Sequence, residues 1–273
     1  MTTVFAVANQ KGGVGKTTSS VNLAASLTAM RKKVLLVDMD PQGNATSGAG
    51  VDKYEPENTI LEVLLGEVAV TAAVVATPEG SGFDLIAANG DLTAAEVQLL
   101  SLSGKEFRLR DALAQTGQRY DYIVIDCPPS LNMLTVNGLA AANAVIVPIQ
   151  CEYYALEGLT SLLNTIEKIR TVLNPGLQIG GLLRTMYDPR NSLSNDVSNQ
   201  LISHFGDKVY RTIIPRNVRL AEAPSHGAPA LTYDAKSRGA ISYLALAGEI
   251  LRREQAARGQ PAAGSGHPQP QAE

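Results

Sequence analysis

Three segments of this chain are apolar at almost every position: VLLVD at 34–38, YIVID at 122–126 and AVIVPI at 144–149. A strand with one wet face alternates apolar and polar residues, so a run without alternation must be covered on both faces. Strands are accordingly expected at Thr3–Ala8, Lys33–Asp38, Asp84–Ala87, Tyr122–Asp126, Ala144–Gln150, Gln178–Met186 and Val209–Ile214. Helix-period segments fall between them, near Lys16–Met30, Thr59–Leu65, Asp91–Ser101, Lys105–Thr116, Leu131–Ala142, Leu156–Leu173, Ser192–Phe205 and Ser237–Arg258. Thr59-Ile-Leu-Glu62 reads as a capping box at one of these starts. Such alternation predicts an α/β fold: a doubly wound, mostly parallel sheet with helices on both faces and ligands beyond the carboxyl ends of its strands. The 273 residues suffice for one large domain, expected over 1–258. The closing GQPAAGSGHPQPQAE has no large apolar residue, and Gly259–Glu273 is expected to be disordered.

The segment Asn9-Gln-Lys-Gly-Gly-Val-Gly-Lys-Thr-Thr18 follows the first strand and opens the first helix. That is the setting of a phosphate-binding loop, so a P-loop NTPase is expected. Gly12, Gly13 and Gly15 allow the backbone to curl around Val14 until successive N–H groups face phosphate oxygens. The helix start adds the positive end of its dipole. Lys16 is expected to reach the β- and γ-phosphates of ATP, the Thr17 hydroxyl to bind Mg²⁺, and Thr18 to touch the α-phosphate. The common pattern GxxxxGK[ST] has glycine where this chain has Gln10, and it lacks the lysine found here at position 11. Lys11 cannot easily fold back on the same phosphates and is placed to reach those of a facing subunit.

Carboxylates end two of the apolar runs. VLLVD-M-D-P-Q carries Asp38 and Asp40, and YIVID-C-P-P carries Asp126. Asp126 is expected to hold Mg²⁺ through water, Asp40 to position the attacking water from its loop, and Asp38 to act from deeper behind the metal.

Charge is unevenly distributed. The net charge is −3, yet residues 1–183 carry 12 Lys+Arg against 18 Asp+Glu, while residues 184–258 carry 11 against 7. A basic C-terminal third on an acidic body predicts one face suited to polyanions. Cys127 and Cys151 form neither a disulfide framework nor a zinc spacing and read as small core residues, as in a reducing cytoplasm. The three histidines are scattered. No apolar stretch is long enough to span a bilayer, and no secretion signal is expected.

KGGVGKTT, VDMDPQGNAT, YIVIDCPPS and TIIPRNVRLAEAPSHGAPALTYDAKSRG occur in that order, and together they resemble the ParA/Soj chromosome- and plasmid-partition ATPases over residues 3–255. The first three segments belong to the wider MinD/ParA deviant-Walker class, and NVRLAEAPSHG points to the partition branch. The resemblance implies a Mg-dependent ATPase, converting ATP and water to ADP and phosphate, that works as an ATP-sandwich homodimer. Lys11 would act across that dimer, and Gly12 would lie where the subunits approach. Asp40 would align the hydrolytic water, Pro215 and Asn217 would flank the adenine, and Pro129 would line the site from the opposite side. It further implies non-specific binding of double-stranded DNA through Arg190 and Arg219, with Lys236 and Arg238 nearby and Arg252 and Arg253 as weaker candidates. A ParB-like centromere-binding partner and a cytoplasmic, nucleoid-associated location are implied by family alone. Only about eight residues precede the loop, so no N-terminal helix-turn-helix domain is expected.

Two other readings share the loop. A MinD-like membrane-associated division regulator would carry a C-terminal amphipathic helix, whereas this terminus is polar and Pro-rich, and Leu244–Arg258 reads as a helix covering the sheet. An iron–sulfur protein needs cysteines poised at a dimer interface, and Cys127, directly after Asp126, is poorly placed for that.

Overall fold

The computed structural model describes residues 2–259. Eight strands form one sheet: β1 (Thr3–Val7), β2 (Val34–Asp38), β3 (Val74–Ala76), β4 (Asp84–Ile86), β5 (Tyr122–Asp126), β6 (Ala144–Gln150), β7 (Gln178–Tyr187) and β8 (Val209–Pro215). Their order is β3-β4-β2-β5-β1-β6-β7-β8, parallel throughout except for the antiparallel edge pair β3–β4. The chain starts at the centre, steps out one way through β2 and β4, then returns to wind out the other way. This is the doubly wound sheet that the apolar runs predict.

The fully apolar strands are covered on both sides. Leu35, Val37, Ile123, Ile125, Val145 and Val147 face one core with the helices Ile60–Leu65, Leu92–Leu99 and Ala155–Val172. Val34, Leu36, Tyr122, Val124 and Ile146 face the other, under the helices Lys16–Ala29 and Arg238–Gly259. The last helix contributes Ala240, Tyr243, Leu246, Ala247 and Ile250 to that core. Thr59 caps its helix as expected: its hydroxyl accepts the Leu61 N–H, and the Glu62 carboxylate accepts the Thr59 N–H at 2.7 Å.

Several boundaries differ from expectation. The segment near Lys105–Thr116 divides into a 3-10 turn at Lys105–Phe107 and an α-helix at Arg108–Ala114. Strand β3 and the short helices Asn44–Gly48, Val218–Glu222 and Ala230–Tyr233 were not foreseen. The final helix takes in Gly259, where a disordered tail was expected to begin, and residues 260–273 lie outside the described residues.

The register of β6 against β7 slips between Val145 and Ile146, where Gly180 and Gly181 pass. A Cβ at Gly181 would lie 2.4 Å from the buried Tyr210 ring. Gly181→Ala is therefore expected to lower unfolding free energy by about 1–3 kcal/mol, as overpacking of a filled core does. A urea midpoint that falls with an unchanged slope checks this, and an unmoved midpoint means that the ring yields freely.

Candidate functional site

The loop between β1 and the helix Lys16–Ala29 is shaped by two left-handed glycines, Gly13 at φ 72° and Gly15 at φ 88°. Gly15 is also the helix N-cap. Gly12 differs: its φ is not positive, and a Cβ added there meets nothing within 4 Å. Nothing among the described residues demands glycine at that position. The loop is fixed from several sides. Asn9 Nδ2 donates to the Pro148 carbonyl at 2.7 Å, and Asn9 Oδ1 accepts the Lys11 N–H at 3.0 Å. Thr185 Oγ1 donates to the Val14 carbonyl at 2.8 Å. Gln10, where glycine is usual, turns its carboxamide oxygen to the Ser161 hydroxyl.

Lys16 is almost wholly buried, and its Nζ donates to the Lys11 carbonyl at 3.0 Å. Burial lowers its pKa, opposed by the neighbouring Asp126 and Asp40 carboxylates. The register of β2 on β5 sets Asp38 opposite Asp126, both with no solvent exposure. Asp126 accepts from Thr17 Oγ1 at 2.8 Å and Ser20 Oγ at 2.7 Å. Asp38 accepts from the Thr46 N–H and hydroxyl, both at 2.8 Å, and from the Asp40 N–H at 3.1 Å. Asp38 thus anchors the loop that carries Asp40. Burial pushes both buried carboxyls above the usual range, Asp126 further through Asp38 and Asp38 further through Asp40. Asp40 is half-buried and closes a tight turn, its side chain accepting the Gln42 N–H and its carbonyl the Gly43 N–H. Lys16, Thr17, Asp38, Asp40 and Asp126 therefore converge at the carboxyl ends of β1, β2 and β5. Cys127 and Cys151 are buried, and burial raises both thiols.

Beside the loop, a cavity of about 160 Å³ opens between the ends of β7 and β8. Gly15 and Thr18 lie at one side, and Pro215, Asn217, Leu220 and Tyr243 at the other. Asn217 Oδ1 is buried without a hydrogen-bond partner among the described residues. Met186, also at this cavity, takes a left-handed φ of 48°, a conformation that costs a non-glycine residue of order 1 kcal/mol or more. Pro129 is exposed in the turn after β5 and does not line this cavity. Thr185, Met186, Arg216 and Tyr243 are site residues that the sequence reading missed. Arg216 alone had a visible signal, standing between Pro215 and Asn217.

The basic candidates separate into distinct settings. Arg219 is paired with Glu222 at 2.7 Å and Asp234 at 3.3 Å, and Lys236 is exposed in the next turn. Arg190 is held twice by Asp188 but remains 88% exposed. Arg238 shares a cleft with Arg190. Arg253 is committed inside the fold: it binds Glu249 and the carbonyls of Asp207 and Val209, and it stacks on Tyr210. Lys11 is ion-paired within its own subunit, its Nζ lying 2.7 Å from Glu152 Oε2, with both side chains partly exposed.

The AAA domain family matches residues 2–179. The chain is 53% identical over 253 residues to "Chromosome partitioning protein ParA" of Caulobacter vibrioides, covering 92% of this chain and 94% of that one. It is 51% identical over 247 residues to "Sporulation initiation inhibitor protein Soj" of Bacillus subtilis, covering 90% and 97%. The chain belongs to the ParA/Soj family. The fold of the family is also met in a Mycobacterium smegmatis structure titled as cobyrinic acid a,c-diamide synthase with a bound ATP analogue and magnesium. Its TM-score is 0.83 and its identity 42%, over 96% of this chain and 99% of that one. The ParA and Soj relatives are closer in sequence than that structure, so the family assignment rests on them. No helix among the described residues is long and apolar enough to cross a membrane.

Proposed function

We propose that this protein is a chromosome-partitioning ATPase in which Mg-ATP closes a homodimer that binds duplex DNA without sequence preference, and in which hydrolysis releases it. The observation that carries the reading is the convergence of Lys16, Thr17, Asp40 and Asp126 around a glycine loop, in a chain half identical to ParA and Soj proteins.

The residues present fit the ligand. An unpartnered Asn217 Oδ1 beside the 160 Å³ cavity suits the exocyclic amino group of adenine, and guanine would present an oxygen there instead. Two buried carboxyls lie in register, both raised chiefly by burial, Asp126 further by Asp38 and Asp38 further by Asp40, and a divalent cation beside Thr17 would relieve that crowding of negative charge. Thr17 would hold Mg²⁺ directly and Asp126 through water, with Asp38 behind them. The bound ion would neutralise charge developing on the transferred phosphoryl group.

In this reading Gly13, Val14 and Gly15 offer backbone N–H groups to the triphosphate, Lys16 supplies charge within the subunit, and Thr18 touches the α-phosphate. Asp40 orients water. Lys11 supplies charge to the facing subunit's nucleotide, and the open space at Gly12 leaves room for that subunit's approach. Pro215 and Asn217 take the base, with Pro129 on the outer side of the site. Arg190, Arg219, Lys236 and Arg238 meet DNA phosphates, a ParB-like partner regulates turnover, and the protein works in the cytoplasm on the nucleoid. The final helix gives its apolar side to the core, which speaks against a MinD-like use as a membrane anchor.

The test is a set of gel shifts of wild type and of Arg190→Glu/Arg219→Glu on two unrelated duplexes, with and without ATP, over a range of salt. ATP-dependent binding of both duplexes by wild type, lost in the double variant with nucleotide affinity kept, is expected. Strong preference for one sequence, or binding indifferent to ATP, would sink the reading.

A further inference from the structure

Thr185, on β7, stands 171 positions from Val14 in sequence, yet its Oγ1 donates to the Val14 carbonyl at 2.8 Å, and both residues are buried. The proposed chemistry gives it no part. Its methyl branch lies along the loop as well: a Cβ added at Gly15 would stand 3.9 Å from Thr185 Cβ and from Cγ2. The side chain therefore backs two consecutive loop residues, the hydroxyl against the Val14 carbonyl and the methyl against Gly15. The strand bends immediately after it. Met186 takes its left-handed φ of 48°, and the register of β7 on β8 shifts between Arg184 and Tyr187. Thr185 and Met186 both line the cavity proposed for the base, so this one bend reaches that cavity and the phosphate loop together.

The hydroxyl holds the peptide that joins Val14 to Gly15. A trans peptide points its C=O and its N–H in opposite directions, and no peptide among the described residues is cis. Drawing the Val14 carbonyl toward β7 thus turns the Gly15 N–H away from β7, among the donors assigned to the triphosphate. Gly15 itself does little to secure that orientation. It stands at φ 88° and has no Cβ, and glycine crosses between backbone regions at small cost, so an unheld peptide here can rotate. Rotation would present a carbonyl oxygen where an N–H is needed. Phosphate then meets a repulsion in place of a charge-assisted hydrogen bond, which is the stronger kind.

We propose that Thr185 is a positioning residue for ATP: its hydroxyl locks the Val14–Gly15 peptide in the orientation that offers the Gly15 N–H to phosphate. The proposal rests on the ATPase reading above and adds to the phosphate loop a residue from a distant strand. The lock acts on phosphate-bearing ligands alone. A base meets Thr185 only as part of the cavity wall, where a methyl serves as well as a hydroxyl.

Competition against a fluorescent ATP analogue measures the affinities of the full chain for ATP, ADP and adenosine, in wild type and in Thr185→Ser, Thr185→Val and Thr185→Ala. Valine replaces the threonine hydroxyl with a methyl of similar size, and alanine is serine without its hydroxyl. The two pairs test the same atom independently, so either suffices if a variant of the other fails to fold. Within each pair, loss of the hydroxyl should weaken ATP and ADP on the order of ten-fold, as loss of one hydrogen bond to a charged group does. Adenosine affinity should not change, and Thr185→Ser should bind all three ligands much as wild type does. Affinity that follows side-chain bulk, with Thr185→Val like wild type and Thr185→Ser like Thr185→Ala, would overturn the lock. So would equal losses for adenosine and ATP, or no loss at all, and a wild type that binds ATP would leave the ATPase reading standing in each case. If wild type binds neither ATP nor ADP, that reading fails and the proposal with it.

Discussion

Replacing Lys16 with alanine is expected to remove measurable ATP binding while leaving the fold in place. Lys16 is the buried ammonium group of the loop, held over it by the Lys11 carbonyl at 3.0 Å. Desolvation lowers its pKa despite the opposing pull of the Asp126 and Asp40 carboxylates, so the charge is only partly compensated where it sits. A triphosphate is the group that would make such a charge favourable, so truncation removes a charge-assisted contact and leaves phosphate oxygens uncompensated. Loss of one member of a buried charge pair costs roughly 2–5 kcal/mol, or about thirty-fold to several thousand-fold in dissociation constant. Equilibrium dialysis with Mg-ATP measures this directly, and circular dichroism checks that the variant is folded. Retention of tight binding would mean that Lys16 only braces the loop.

Asp40→Ala is expected to have the opposite character: ATP still binds, turnover stops, and an ATP-dependent dimer accumulates on size-exclusion chromatography. Asp40 sits half-buried on the turn after β2, near enough to Lys16 and Asp126 to influence both, and no other side chain of the loop depends on it. Its removal takes away the proposed water acceptor and a turn bond to the Gln42 N–H, but no hydrogen bond of the phosphate loop among the described residues. A mixing experiment adds a test of geometry. Lys11→Ala alone should hold ATP as a monomer and hydrolyse none. Mixed with Asp40→Ala, it can form a dimer in which one nucleotide has Asp40 in its own subunit and Lys11 from across the interface. Hydrolysis should return at up to about half the wild-type rate per dimer, since one of two equivalent sites is complete. Normal turnover by Asp40→Ala alone, or no recovery in proven mixed dimers, would contradict the assignment.

The strands whose bounds read most sharply from the sequence are those buried on both faces. The bounds expected for β5 and β6 coincide with those observed, because both lie at the centre of the sheet and carry apolar residues on both faces. Strand β3 escaped because it is an antiparallel edge of three partly exposed residues, too short to show any period. The helix Val218–Glu222 likewise has only five residues and one buried side chain, Leu220. The phosphate loop was legible because its chemistry is local, within ten consecutive residues. The proposed base pocket was only partly so. Pro215 and Asn217 belong to a recognisable segment, but Met186 and Tyr243 reach the pocket through packing between distant elements, and no local pattern announces them. The pairing of Lys11 with Glu152 joins residues 141 positions apart and has no sequence signature at all.

That pairing has a consequence for assembly. In the isolated subunit Lys11 is drawn to its own Glu152, and in the proposed dimer it must let go to serve the neighbour. A partly exposed ion pair of this kind is worth at most ~1 kcal/mol, and two are surrendered per dimer, so the toll is at most about 2 kcal/mol, or roughly thirty-fold in the concentration at which subunits pair. So small a hold cannot lock the subunit shut. It acts as a threshold, keeping dilute subunits apart and yielding where they are crowded together. Because salt weakens exposed pairs, that threshold should drop as ionic strength rises, even as the same salt loosens the grip on DNA. Subunit pairing and DNA retention would then respond to salt in opposite directions.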